Sequence, residues 1–186
     1  MLGKIYRVML NVRDPLDEPS MTKHPLHIVT GAAGVGKTTF GRELASKLSG
    51  VLLDSDTVTE PVVRAGLAAA GLEPTDRDSP EYKRLFRNAV YECLYQTASD
   101  NLDHISVVIV GPFTRELGDS SWPKQIFERF GVEPTIWFLT CDDEVRRQRI
   151  KSRGNPRDQA KLIDWSRHVS DAPPAKPAFQ TRNVET

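Results

Sequence analysis

The sequence predicts a three-layer α/β/α fold built on a parallel sheet. Three observations predict it. Strand-sized apolar runs alternate with helical segments, those runs are continuous rather than alternating, and a glycine-rich turn joins the first run to the first helix. The 186 residues are enough for one domain with a substantial core. Hydrophobic residues at 39% and charged residues at 27% describe a folded globular chain, not a disordered one.

Each element follows from local pattern. Residues 1–21 read as an N-terminal extension ahead of the core, with Met21 as an alternative start. The competing reading is an added edge strand, since Lys4–Arg13 has weak strand character before the proline-bearing stretch Asp14–Pro25. Leu26–Thr30 is the first strand, and Lys37–Leu48 is a helix with Phe40, Leu44 and Leu48 spaced four apart and Gly50 beyond its end. Val51–Leu53 is a second strand ending at Asp54. Pro61–Ala70 is a helix with proline in its first turn and Gly71 past its end. Glu81–Thr97 reads as one long helix whose apolar face carries Tyr82, Leu85, Phe86, Ala89, Val90, Cys93, Leu94 and Thr97.

Ile105–Val110 is a buried parallel strand, Trp122–Phe130 a short helix closed by Gly131, and Thr135–Leu139 the fourth strand. Asp142–Lys151 and Asp158–His168 are helical, and the proline-rich tail from Asp171 is loop or extended chain. The resulting division is a core domain at 22–170, with an acceptor region at 57–100 and a lid at 146–158, followed by a C-terminal tail at 171–186.

Composition removes several function classes. Twenty-five basic residues balance twenty-five acidic ones, so no global field draws the chain to nucleic acid or an anionic membrane. Cys93 and Cys141 form no CxxC pair, and His24, His27, His104 and His168 show no metal-ligand spacing. Cys93, on an apolar helix face, is expected to be buried and inert. The apolar runs Val107–Val110 and Ile136–Leu139 are too short to span a bilayer, and Arg7 interrupts the only leader-like stretch. These features set the expectation of a cytoplasmic protein that engages neither membrane nor nucleic acid.

Gly31-Ala32-Ala33-Gly34-Val35-Gly36-Lys37-Thr38 matches GxxxxGK[ST] at every fixed position, and Thr39 continues the motif into the helix. Glycines let successive N–H groups curl around a phosphate. Lys37 reaches the β- and γ-phosphates, the Thr38 hydroxyl ligates Mg²⁺, and the helix N-terminus adds positive potential. The order GxxGxG argues against a dinucleotide fingerprint.

Two further signals separate the members of this class. Asp54-Ser55-Asp56 places two carboxylates at the C-terminal end of the second strand, the edge where open α/β sheets bind ligands. One carboxylate can serve the metal and the other can orient and deprotonate an acceptor hydroxyl, although a helix cap is the plainer explanation of such a pair. Val145–Arg157 carries six basic residues and no acidic one; Arg146, Arg149 and Arg153 share a helix face, and Gly154-Asn155-Pro156 then presents Arg157 from a loop. That pattern suits a lid closing over a triphosphate, with a solvated helix face as the alternative. The acids at Asp142, Asp143 and Glu144 start too late to end the fourth strand as a metal site and read as helix caps. Phe113 follows a strand whose end faces the site and is a candidate wall of the acceptor pocket, core packing being the other reading. Trp165 packs the lid helix on the domain.

The segments GAAGVGKTT at 31–39, DSD at 54–56, VVIVGPF at 107–113 and RGNPRDQAKLIDW at 153–165 resemble the small P-loop kinases. That group includes shikimate and gluconate kinases, chloramphenicol phosphotransferase, phage polynucleotide kinase and the kinases grouped as AAA family ATPases. The resemblance covers about residues 26–170. It implies ATP and Mg²⁺, a monomer or homodimer, a sheet in order 2-3-1-4-5, Asp56 as catalytic base, Asp54 in the metal shell, and Arg153 and Arg157 as lid arginines. Arg64 and Arg115 match its acceptor-facing region loosely. Two departures stand out: the third strand ends Val110-Gly111-Pro112-Phe113 without an aspartate, and a fifth strand must come from about Ala178–Val184 or be missing.

The expectation is a phosphotransferase moving the γ-phosphoryl group of MgATP to a small-molecule hydroxyl, with Lys37, Asp56 and Arg153 catalytic. Two other readings stay open. One is a nucleotide or polynucleotide 5′-hydroxyl kinase with a basic groove near Arg77–Arg87. The other is an ATP-hydrolysing regulator that acts on a protein partner.

Overall fold

The computed structural model describes residues 23–155, 158, 162–166, 169 and 176–186. The 1–21 extension and Arg157 lie outside them, as does most of the helix expected at Asp158–His168. Five strands form one parallel sheet in the order β2-β3-β1-β4-β5: β1 Leu26–Gly31, β2 Val51–Asp54, β3 Val107–Val110, β4 Pro134–Thr140 and β5 Arg182–Glu185. Register aligns Val29 with Val110 and Trp137, and Asp54 with Val110, so the strand ends Gly31, Asp54 and Val110 meet at one edge.

The helices are α1 Lys37–Lys47, α2 Ser55–Ala69, α3 Pro80–Leu85, α4 Arg87–Asn101, α5 Trp122–Phe130 and α6 Asp143–Arg153. Strand alternation sorts the core into two layers. Leu26, Ile28, Val107, Ile109 and Ile136 pack with Tyr91, Leu94 and Phe130 of α4 and α5. Val29, Val108, Val110 and Leu139 face the other way, against Ala45, Phe40 and Leu44 of α1. The β-branched runs therefore serve both faces, which is why they show no polar alternation. Gly41 lets α1 approach this second layer closely, since a Cβ there would come within 2.4 Å of Val110 Cγ2.

Three expected elements are corrected. The helix expected at Pro61–Ala70 begins at Ser55, because the Asp54 carboxylate caps it by accepting the Asp56 N–H at 2.9 Å; Pro61 lies inside it. The helix expected at Glu81–Thr97 is interrupted at Phe86 (φ −117°), whose ring seats against Gly66 of α2, where a Cβ would come within 2.7 Å of it. After the interruption the buried face of α4 is Val90, Tyr91, Leu94 and Ala98, so Cys93 is exposed rather than buried. The C-terminal tail is not all loop: Arg182–Glu185 supplies the fifth strand, with Trp137 aligned to Arg182.

Candidate active site

The phosphate loop connects β1 to α1 at the shared strand edge. Gly34 and Gly36 hold φ of 82° and 89°, the left-handed region that residues with a Cβ avoid. Gly34 is also confined by α6, since a Cβ there would meet the Arg146 carbonyl at 2.8 Å, whereas one at Gly36 would meet nothing closer than the Arg149 guanidinium at 3.8 Å. The glycines thus serve the loop's own path as well as access to it. The loop carbonyls are held by surrounding side chains: Lys37 Nζ donates to Ala32 O (2.9 Å), Arg146 Nε to Ala33 O (3.0 Å) and Thr186 Oγ1 to Val35 O (2.8 Å).

Opposite the loop, Thr38 Oγ1 donates to Asp54 Oδ2 at 2.7 Å while Asp54 Oδ1 accepts the Asp56 N–H. Asp54 is 3% exposed, so one buried carboxylate both caps α2 and meets the hydroxyl that begins α1. Asp56, one residue into α2, is exposed. Thr30, wholly buried, fixes the segment after β3 by donating to Pro112 O at 2.8 Å.

Thr38, Asp54, Asp56 and Pro112 line one cleft with the phosphate loop, of about 1140 Å³. Its loop end holds Gly31, Ala32, Ala33, Gly34, Gly36, Lys37, Thr38 and Thr39 with Arg146, Arg149 and Arg153. The three arginines read as one helix face do share the cleft. Arg149 donates to Thr186 Oγ1 at 3.0 Å, and Arg153 Nε to the buried carboxylate of Asp158 at 2.6 Å. Asp142 caps α6 through the Glu144 N–H at 2.8 Å, as its sequence position indicated.

The other end is lined by Asp56, Glu60, Arg77, Asp78, Tyr82, Lys83, Arg87, Tyr91 and Pro112. Its two arginines are paired. Arg77 meets Glu60 at 2.8 Å, and Arg87 reaches both oxygens of Glu116 at 2.9 and 2.6 Å while lying over the Tyr91 ring. Burial pushes the Tyr91 phenol far above its ordinary value, and its oxygen accepts the Phe113 N–H at 3.2 Å, so it is a fixed wall rather than a base.

Several expected site residues lie elsewhere. Phe113 is wholly buried, stacked on Tyr91 and Trp122, and belongs to the core rather than the cleft wall. The chain turns at it with φ 41°, and its ring joins the core cluster with Tyr91 and Trp122. The Val35 side chain is buried, so this residue can contribute to the loop only through its backbone. Arg64 and Arg115 are exposed and are not among the residues lining the cleft. Glu60 and Tyr91 line the cleft without any signal in the sequence, whereas Arg146 shares with Arg149 and Arg153 the helix face expected to meet the phosphates.

These residues fit a phosphate chain and a hard divalent ion. The loop presents backbone to an open space, cations surround it, and Thr38 and Asp54 offer two adjoining oxygens of the kind Mg²⁺ takes when substrate phosphates complete its shell. Among the described residues no cluster of three His, Cys, Asp or Glu could hold a metal by itself.

Solved structures share the fold. A candidate kinase of Chloroflexus aurantiacus superposes with TM-score 0.64 at 23% identity, over 89% of each chain. A sugar kinase of Janibacter sp. HTCC2649 gives 0.57 at 16% identity, covering 87% of this chain and 85% of that one. A gluconokinase of Sinorhizobium meliloti 1021 gives 0.51 at 15%, covering 87% and 82%. Among curated proteins, the shikimate kinase of Thermobifida fusca (strain YX) is 38% identical over 74 residues, which is 40% of this chain and 41% of that protein. A family model described as an AAA domain matches residues 26–171, from the first strand through the phosphate loop, the Asp pair and the arginine helix. By that match, which covers most of its length, the chain belongs to the AAA domain family.

Proposed function

We propose that the protein is an ATP-dependent phosphotransferase acting on a hydroxyl group of a small molecule. The observation that carries this reading is the lining of one cleft: the phosphate loop with three arginines at one end, and Asp56 with polar side chains of α2 to α4 at the other. A nucleotide hydrolase needs only the first end; the second is room for an acceptor.

On this reading Lys37 and the loop N–H groups bind the β- and γ-phosphates. Thr38 and Asp54 would hold Mg²⁺, which when bound neutralises charge across the phosphate oxygens. Asp56 orients the acceptor hydroxyl and accepts its proton. Arg149 and Arg153, with Arg157, stabilise charge on the transferred group and help exclude water. The curated relative named shikimate kinase supports the reaction class over the segment it shares. The pairing of Arg77 and Arg87 with glutamates favours a compact acceptor over a polynucleotide, because a groove for a phosphate backbone needs cations free to meet it. The absence, among the described residues, of a helix long and apolar enough to cross a membrane is in keeping with a metabolite acceptor.

The test supplies γ-labelled ATP and Mg²⁺ with pools of sugars, nucleosides, hydroxy acids and amino alcohols. Label moving into one pool with wild type and not with Asp56→Asn is the expected result. Label appearing only as inorganic phosphate, equally in both proteins, would contradict it.

A further inference from the structure

Arg146 stands out for its burial. It is 2% exposed, yet it lies on a helix whose other charged residues face water or the open cleft. Burying a guanidinium is costly, and an apolar side chain of similar volume commonly serves packing as well or better. Its three partners belong to three separate segments. Nε donates to Ala33 O of the phosphate loop at 3.0 Å, Nη1 meets Asp143 at 2.6 Å, and Cζ lies 5.4 Å from the centroid of the Trp165 ring.

The Ala33 carbonyl and the Gly34 N–H belong to one peptide plane. Among the described residues no peptide bond is cis, so the two groups point to opposite sides. Holding the carbonyl against α6 therefore aims the Gly34 N–H away from α6, and Gly34 lines the cleft. A flipped plane would instead offer the cleft a carbonyl oxygen, which repels phosphate. Gly34 alone cannot prevent that flip, because glycine tolerates either orientation.

We propose that Arg146 is a positioning residue that locks the Ala33–Gly34 peptide in its anion-binding orientation. The proposal rests on the nucleotide-binding part of the reading above. Arg146 acts through the loop backbone, and its loss is felt in nucleotide affinity rather than in stability.

The experiment titrates MgADP calorimetrically into wild type, Arg146→Leu, Arg146→Lys and Asp143→Ala, with thermal melting of each. The expected result is that Arg146→Leu melts close to wild type yet binds about tenfold or more weakly. Arg146→Lys recovers part of the loss. Should Arg146→Leu fail to fold, Asp143→Ala decides: it removes one anchor from a half-exposed position, and the proposal expects weaker binding with the fold intact. Wild-type affinity in a folded Arg146→Leu protein, or in Asp143→Ala where that variant decides, would overturn the role of Arg146 alone. No MgADP binding by wild type would overturn the nucleotide reading and this proposal with it.

Discussion

Asp54 and Asp56 divide tasks that one carboxylate could not perform together. Asp54 is buried, accepts from Thr38 and from the Asp56 N–H, and has both oxygens committed. Asp56 is exposed in the cleft, where an acceptor can reach it. Substitutions can therefore separate structure from chemistry. Asp54→Ser keeps a side chain able to cap α2, so its melting temperature should fall by much less than that of Asp54→Ala, in which the lost cap costs about 1 kcal/mol or more. Both should need far more Mg²⁺ for turnover, measured by titrating the metal. Lys37→Met should lower turnover by about 10²-fold or more with the fold unchanged, as judged by kcat and circular dichroism. The motif residues were legible because a backbone cradle needs glycines at fixed spacing. Phe113 was not: its place depends on a turn at positive φ that no local pattern announces. Arg64 and Arg115 resembled acceptor residues only loosely, and both are exposed outside the cleft lining.

Close approach governs the elements. The packing of α1 on β3 depends on the missing side chain at Gly41, so Gly41→Ala should destabilise the fold by about 1–3 kcal/mol. Val110→Ala, which removes the opposing methyls, should recover part of that loss, and a double-mutant cycle in denaturant measures the coupling. The β1–β4 pair carries a pH-dependent contact. Trp137 Nε1–H donates to His27 Nδ1 at 3.2 Å, and burial, with Arg182 nearby, lowers the His27 pKa below its ordinary 6.5. A depressed value means the unfolded chain takes up a proton first as pH falls. Stability from this site is then complete above pH 6.5 and is lost as pH falls toward the folded value. Melting temperatures should decline below that pH more steeply for wild type than for His27→Gln. The order of elements was legible from alternating periodicity. The interruption at Phe86 was not, because it answers to Gly66 on another helix, and that re-phasing put Cys93 on the surface.

At the scale of the whole molecule, a net charge of zero conceals a division along the cleft. Lys37, Arg146, Arg149 and Arg153 gather at the loop end, in excess of the aspartates that pair with Arg146 and Arg153, whereas at the other end Arg77 and Arg87 are each paired with a glutamate. The sheet order and the position of β5 make that division possible, since β5 brings Thr186 against Val35 and Arg149. Composition excluded a global field but could not show this local one, which arises only when residues far apart in the chain share an edge. The measurement that tests the account most directly follows wild type and Asp56→Asn in MgATP with a metabolite extract, quantifying ADP, inorganic phosphate and phosphorylated species by mass spectrometry. The account predicts one phosphorylated hydroxyl compound formed in step with ADP by wild type, and neither product at comparable rate from the variant. ADP matched by free phosphate, at equal rates in both proteins and with no phosphorylated compound, would contradict it.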